Sequence, residues 1–265
     1  MSCSPCQKPA HWGVVLAALL GSTNAAAQHV DSPHSLAAGA YLSDGDYGAQ
    51  LETTIRYFPI SYEYQGDTWA LQVTVPYLEI DGLGNALVNV GGVTRTRLAN
   101  ERIDAAGLGD VVASGTYQFP ALTDSGLFLD LVVEAKLPTA DDTKGLGTGE
   151  PDYSTQLDLF QGFGKVTAFA TAGYRWRGKT DVFAGLSHSA FGEVGFALPI
   201  AAAWSGGMIY SYGAPASDFS SEIHELLPYV SWELSDRWSL MAYGVWGFTV
   251  DSPDFALGTQ LTLRW

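Results

Sequence analysis

The chain has 265 residues, a formal net charge of −15 and 12% aromatic residues. The acidic balance argues against a nucleic-acid partner, because phosphate recognition needs a positive footprint. Both cysteines, Cys3 and Cys6, lie in the first few residues, so no disulfide framework can organise the rest.

Read from its start, the chain carries a secretory leader. Lys8 supplies a positive charge, Trp12 to Leu20 is apolar, and Ala25-Ala26-Ala27 fits a small-residue cleavage site. The apolar core is too short to span a bilayer as a helix. We expect residues 1–27 to be removed and residues 28–265 to form one domain.

Almost every later segment alternates apolar and polar residues. In TWALQVTVPYL, Trp69, Leu71, Val73, Val75 and Tyr77 share one face. The segment before it breaks phase: Leu51, Thr53, Ile55 and Tyr57 are odd, while Ile60, Tyr62 and Tyr64 are even. The change falls at Phe58-Pro59 and predicts a bulge there. Within residues 81–108, a short hairpin around Gly91-Gly92 reads as an excursion or a flap over a mouth.

FLDLVVEAKL places Leu129, Leu131, Val133, Ala135 and Leu137 on one face, with Asp130, Glu134 and Lys136 on the other. The glycine-rich stretch that follows, LPTADDTKGLGTGEPDYS, invites a phosphate-loop reading, but the order is wrong. Lys144 precedes Gly145, Gly147 and Gly149, and DYSTQLDLF, which places Asp158 opposite the apolar positions, alternates like a strand rather than starting a helix. Calcium would suit the carboxylates from Asp141 to Asp152, yet their spacing matches no EF-hand register. A solvated acidic loop is the expectation.

KVTAFATAGYRWRG puts Val166, Ala168, Ala170, Ala172, Tyr174 and Trp176 on one face and Thr167, Thr171, Arg175 and Arg177 on the other. Aromatic rings gathered at strand ends resemble the girdles of membrane barrels. His188 and Ser189 are neighbours, which sends their side chains to opposite faces of an extended segment, so no base is placed on a nucleophile. His224 stands near Glu222 and Glu225 without a matching serine. Hydrolytic activity is therefore the weakest functional reading, and no catalytic residue, cofactor or metal is assigned. The last strand, ALGTQLTLRW, aligns Leu257, Thr259, Leu261, Leu263 and Trp265, and its aromatic end is similar to the signal that barrel-assembly machinery reads.

These segments add to about twelve strands, long enough to cross a bilayer when tilted. They are expected near 35–43, 50–65, 68–80, 109–119, 126–137, 152–163, 165–178, 190–198, 202–213, 222–234, 237–248 and 255–265. Short and long connections alternate between them. That parity predicts an all-β antiparallel transmembrane barrel with short periplasmic turns and longer extracellular loops; fourteen strands is the alternative if 81–108 adds a hairpin. Asp130, Glu134, Lys136, Asp158, Arg175 and Arg177 are the expected lumen-lining residues. Leu261, Leu263 and Trp265 are the expected assembly signal.

The elements SDGDYG, YQGDTWALQVTVPYLEIDG, GLGDV and LPT…GLGTGEPDY run in this order over most of the chain. Together they resemble the outer-membrane proteins named for the meta-pathway of phenol degradation, with a departure at Ala140, where the family carries glycine. The resemblance implies a bacterial outer-membrane barrel that passes small molecules, aromatic or hydrophobic compounds among them, and it transfers no catalytic residue. The implied partners are outer-membrane lipids, lipopolysaccharide, the barrel-assembly machinery and a small-molecule solute. A closed structural or adhesive barrel is the alternative, and an outer-membrane hydrolase the second one.

Overall fold

The computed structural model describes residues 32–45, 47, 52–83, 102–179, 185–217 and 220–265. The expected leader and the expected hairpin around Gly91-Gly92 lie outside the described residues. The strands are β1 (His34–Gly45), β2 (Thr53–Gln65), β3 (Trp69–Leu83), β4 (Arg102–Leu108), β5 (Val111–Gln118), β6 (Leu127–Leu137), β7 (Asp152–Phe163), β8 (Val166–Trp176), β9 (Ser189–Ala201), β10 (Trp204–Gly213), β11 (Ile223–Glu233), β12 (Trp238–Gly247) and β13 (Phe255–Arg264). Each pairs antiparallel with its neighbours, and β1 pairs with β13, which closes the sheet into a barrel. Closure joins the two ends of the sheet, as a sheet must to cross a bilayer, while β4 pairs with β3 alone and stands above the level where β5 and β6 begin to pair.

β4 and β5 together occupy one position in the wall. β3 pairs with β5 from Trp69 to Thr74 and with β4 from Tyr77 to Leu83. The register slips by one residue between the two ladders, because Gly109 is inserted and its N–H donates to the Pro76 carbonyl at 2.9 Å. The wall therefore has twelve staves, as expected, and the fourth reaches higher than the sequence pattern suggested. A second register shift lies between Trp204 and Ser205 in the β9–β10 ladder. The bulge expected at Phe58-Pro59 is absent: β2 keeps one register with β3 from Thr54 to Gln65. Ile55, Tyr57 and Pro59 face inward while Phe58, Ile60 and Tyr62 face outward, so the apparent phase change reflects apolar residues on both faces.

The outer face is apolar and ringed. Leu71, Val73, Val133, Leu157, Val194, Leu257 and Leu261 are exposed along the mid-height of the wall. Trp204, Trp232, Trp238 and Trp265 stand at the rim that carries the short connections 66–68, 164–165, 202–203 and 234–237. Tyr153, Tyr174, Trp176 and Trp246 stand at the opposite rim, beside the long connections. In water this surface would cost far more than a soluble fold tolerates; in a bilayer the leucines and valines meet acyl chains and the rings meet headgroups. The fold is that of a bacterial outer-membrane barrel, with the short-turn rim periplasmic and the long-loop rim extracellular.

Candidate functional site

The interior is organised in rows that follow the cross-strand register. Because the strands tilt, each row climbs the wall as it passes from one strand to the next. One row is apolar: Phe128 pairs with Phe160, Phe160 with Phe169, Phe169 with Gly195, Gly195 with Ile209 and Ile209 with Leu227. All five side chains in it are buried. It rises from near the start of β6 at the periplasmic rim towards the extracellular half of β11.

A second row carries the inward tyrosines. Tyr229 pairs with Tyr243, Tyr243 with Gly258, Gly258 with Tyr41, and Tyr41 with Tyr57. Gly258 makes this possible: a Cβ there would stand 2.0 Å from Tyr243 Cζ, so the ring lies flat across the glycine. That lets the Tyr243 ring stack on Tyr41 at 6.4 Å and 24°. The Tyr243 hydroxyl is buried and makes no hydrogen bond.

A third row lies beside the apolar one, one inward position further along each strand. Asp130 pairs with Asp158, Asp158 with Thr171, Thr171 with Glu193, Glu193 with Ser211 and Ser211 with Glu225. Asp158 accepts hydrogen bonds from the Thr171 hydroxyl at 2.6 Å and from Gln156 Nε2 at 3.1 Å. The Ser211 hydroxyl donates to Glu193 Oε1 at 3.4 Å.

The long-loop rim holds a different kind of chemistry. Lys136 is 2% exposed, and its Nζ donates to Asp110 Oδ2 at 3.0 Å and Thr148 Oγ1 at 2.9 Å while pairing with Asp152 Oδ2 at 3.2 Å. Asp110 is fully buried and also accepts the Ala140 N–H at 3.0 Å. Asp152 accepts the Gly178 N–H at 2.9 Å. This cluster ties the connection 138–151 to the wall. The loop does not stay in solvent as the sequence suggested: Gly145, Leu146, Gly147 and Thr148 are buried, and Leu146 is 1% exposed within the interior apolar cluster. Gly147 is the residue that lets the loop close on Asp110, since a Cβ there would stand 2.8 Å from both carboxylate oxygens. Gly145 and Gly149 turn the chain with φ of 68° and 72°.

The acidic outer turn of that loop has local partners. Asp141 Oδ1 accepts the Thr143 hydroxyl at 2.6 Å, and Lys144 Nζ stands 3.6 Å from Asp141 Oδ2. The Thr143 hydroxyl, with Lys144 N–H and charge adding to it, holds the Asp141 carboxyl below its ordinary value. Among the described residues, no group of three or more His, Cys, Asp or Glu side chains is arranged to hold a metal.

Of the six residues singled out from the sequence, Asp130, Glu134, Lys136, Asp158 and Arg175 stand at inward positions of β6, β7 and β8 and Arg177 follows the end of β8, and they divide into separate clusters. Lys136 joins the loop latch, and Asp158 with Asp130 joins the carboxylate row. Arg175 stands 3.9 Å from Glu134 and 5.5 Å over the Phe191 ring. Arg177 Nη1 donates to the Ser187 carbonyl at 2.8 Å and the Ser189 hydroxyl at 2.7 Å. Sequence reading missed Asp110, the tyrosine row and Leu146. His188 Nδ1 accepts the Arg177 N–H at 3.1 Å on the exposed side while Ser189 is buried, so they sit on opposite faces as expected. His224 meets Tyr210 on the outer face, at 2.5 Å from Nδ1 to the hydroxyl.

Several solved structures share this architecture. An outer membrane channel from Pseudomonas putida F1 superposes with a TM-score of 0.68 at 14% identity, covering 90% of this chain and 97% of the other. The NanC porin gives 0.54 at 8% identity, covering 87% and 98%. The translocator domain of autotransporter NalP from Neisseria meningitidis gives 0.52 at 10% identity, covering 90% of each. At these identities the likeness is one of fold. No curated protein matches the chain. Residues 34–265 match the model of the family described as "Putative MetA-pathway of phenol degradation", and the chain belongs to that family.

Proposed function

We propose that the protein is a passive outer-membrane channel for small molecules with an apolar or aromatic body. The carrying observation is the interior lining: buried phenylalanines, aliphatic side chains and tyrosines form rows that climb from the periplasmic half of the wall to the extracellular half. A water-filled porin lumen would be lined by polar groups throughout. The family description and the channel fold of the Pseudomonas neighbour agree with this reading.

In this reading Asp130, Glu134, Lys136, Asp158, Arg175 and Arg177 line the conduit, and Leu261, Leu263 and Trp265 present the assembly signal to the barrel-assembly machinery. Residues 1–27 direct export. The long-loop rim faces lipopolysaccharide. No covalent step is assigned to the lumen.

A closed structural barrel is the second reading, favoured by one observation: Leu146 is packed into the interior apolar cluster at the extracellular mouth. One experiment separates the two. Purified protein, folded by the criterion of a heat-modifiable gel shift, is placed in liposomes and in planar bilayers. A channel gives solute uptake and discrete conductance, and Leu146→Ala raises both by opening the mouth. Folded protein with neither uptake nor conductance overturns the channel reading.

A further inference from the structure

The carboxylate row and the apolar row run side by side over the same six strands. Asp130 and Asp158 are direct cross-strand partners, an arrangement of like charges that costs stability rather than adding it. Thr171 and Ser211 bridge the row onward to Glu193 and Glu225, and no basic residue stands in it. On other inner positions Arg175 meets Glu134 and Phe191, Lys136 meets Asp110 and Asp152, and Arg264 meets Glu233 at 3.3 Å. A separate observation points to a ligand. Glu193 is 6% exposed, yet its Oε2 makes no hydrogen bond, leaving a buried acceptor on the inner wall. Such an atom is expensive unless something visits it.

Resting on the channel reading, we propose that this paired track selects small organic cations that carry an apolar body, arylalkyl ammonium ions above all. The ammonium travels along Asp158, Glu193 and Glu225 and donates hydrogen bonds to them. The hydrocarbon part stays on Phe160, Phe169, Ile209 and Leu227 in the adjacent row. A carboxylate of the same size meets repulsion along the whole track, and a bare inorganic cation finds only half of it.

The test uses the full chain in planar bilayers under a gradient of phenethylammonium chloride, and separately of sodium phenylacetate, with reversal potentials read in each. The expected wild-type result is a reversal potential shifted towards the phenethylammonium equilibrium potential and away from that of chloride, as rings of acidic side chains impose in cation pores. Glu193→Gln and Asp158→Asn each reduce that shift, and the triple variant with Glu225→Gln abolishes it. Glu79→Gln, which alters an outward-facing pair with Arg56, leaves it unchanged. Equal passage of phenethylammonium and phenylacetate through wild-type protein overturns the inference, and so does selectivity that survives the triple substitution. If the variants fail to fold, the two-salt comparison on wild-type protein still decides. Current without cation preference sinks this inference alone; absence of any current and any solute uptake sinks the channel reading with it.

Discussion

The two rims of the barrel are ordered by different parts of the chain. At the periplasmic rim the turns 66–68, 164–165 and 202–203 are two or three residues long, and both faces share the ordering: Trp204 and Trp232 stack at 5.0 Å and 8° on the lipid-facing surface, and Arg264 pairs with Glu233 at 3.3 Å on the inner one. At the extracellular rim the connections are long, and for 138–151 the ordering comes from inside, through Lys136, Asp110, Asp152 and Leu146. The difference teaches where function can be placed. A two-residue turn has no chain to fold into the opening, whereas a loop packed into the interior sets the aperture of its own rim.

The comparison breaks most sharply at Lys136. Lys136→Met removes the cation from between two buried carboxylates and leaves Asp110 and Asp152 facing each other, which should cost about 3–5 kcal/mol. Part of that cost can be relieved if the loop leaves the mouth. Urea unfolding in detergent should therefore show a lower midpoint, and planar bilayers should show a larger conductance at the same time. A lower midpoint with unchanged conductance would mean that the latch stabilises the wall without setting the aperture.

At the other rim the expected effect is smaller. Trp232→Ala removes one ring of a stacked pair, worth about 0.5–1.5 kcal/mol beyond the area it covers. Both rings are about two-fifths exposed, at 40% and 39%, so no cavity forms. The unfolding midpoint should fall slightly and the conductance should not move. A conductance change here would contradict the division between the rims.

The sequence made some of this legible and hid the rest for physical reasons. Alternation is a local property, so β6, β7 and β8 were readable from FLDLVVEAKL, DYSTQLDLF and KVTAFATAGYRW alone. Loop parity is also local, and it gave the twelve staves. β4 was lost because RIDAAGL alternates weakly and the inserted Gly109 inverts the phase before β5 begins. The phase change at Pro59 mimics a bulge because Ile55 and Tyr57 are apolar and point inward. Asp110 could not be found, since its partner Lys136 lies 26 residues away and only the β5–β6 pairing brings them together. The rows of carboxylates and tyrosines are invisible for the same reason: each is assembled one residue per strand.

The smallest expected effect sharpens the contrast within one loop. Lys144 and Asp141 form an ion pair at 3.6 Å with side chains 59% and 43% exposed, only a few residues from the buried Lys136 cluster. Water already solvates both charges, and holding two flexible side chains together costs entropy that the screened attraction barely offsets. Lys144→Ala should leave the unfolding midpoint unchanged within error at physiological salt, and single-channel conductance should keep its wild-type size. Asp141 gives the same part of the loop a pH signature. Its carboxyl is held below its ordinary value, so its contribution is present above the unfolded value and is lost as pH falls through the folded one. If Lys144→Ala opened the mouth as Lys136→Met is expected to, the loop would be held by its solvent-facing turn rather than by Thr148 and Leu146, and the rim would be ordered from outside after all.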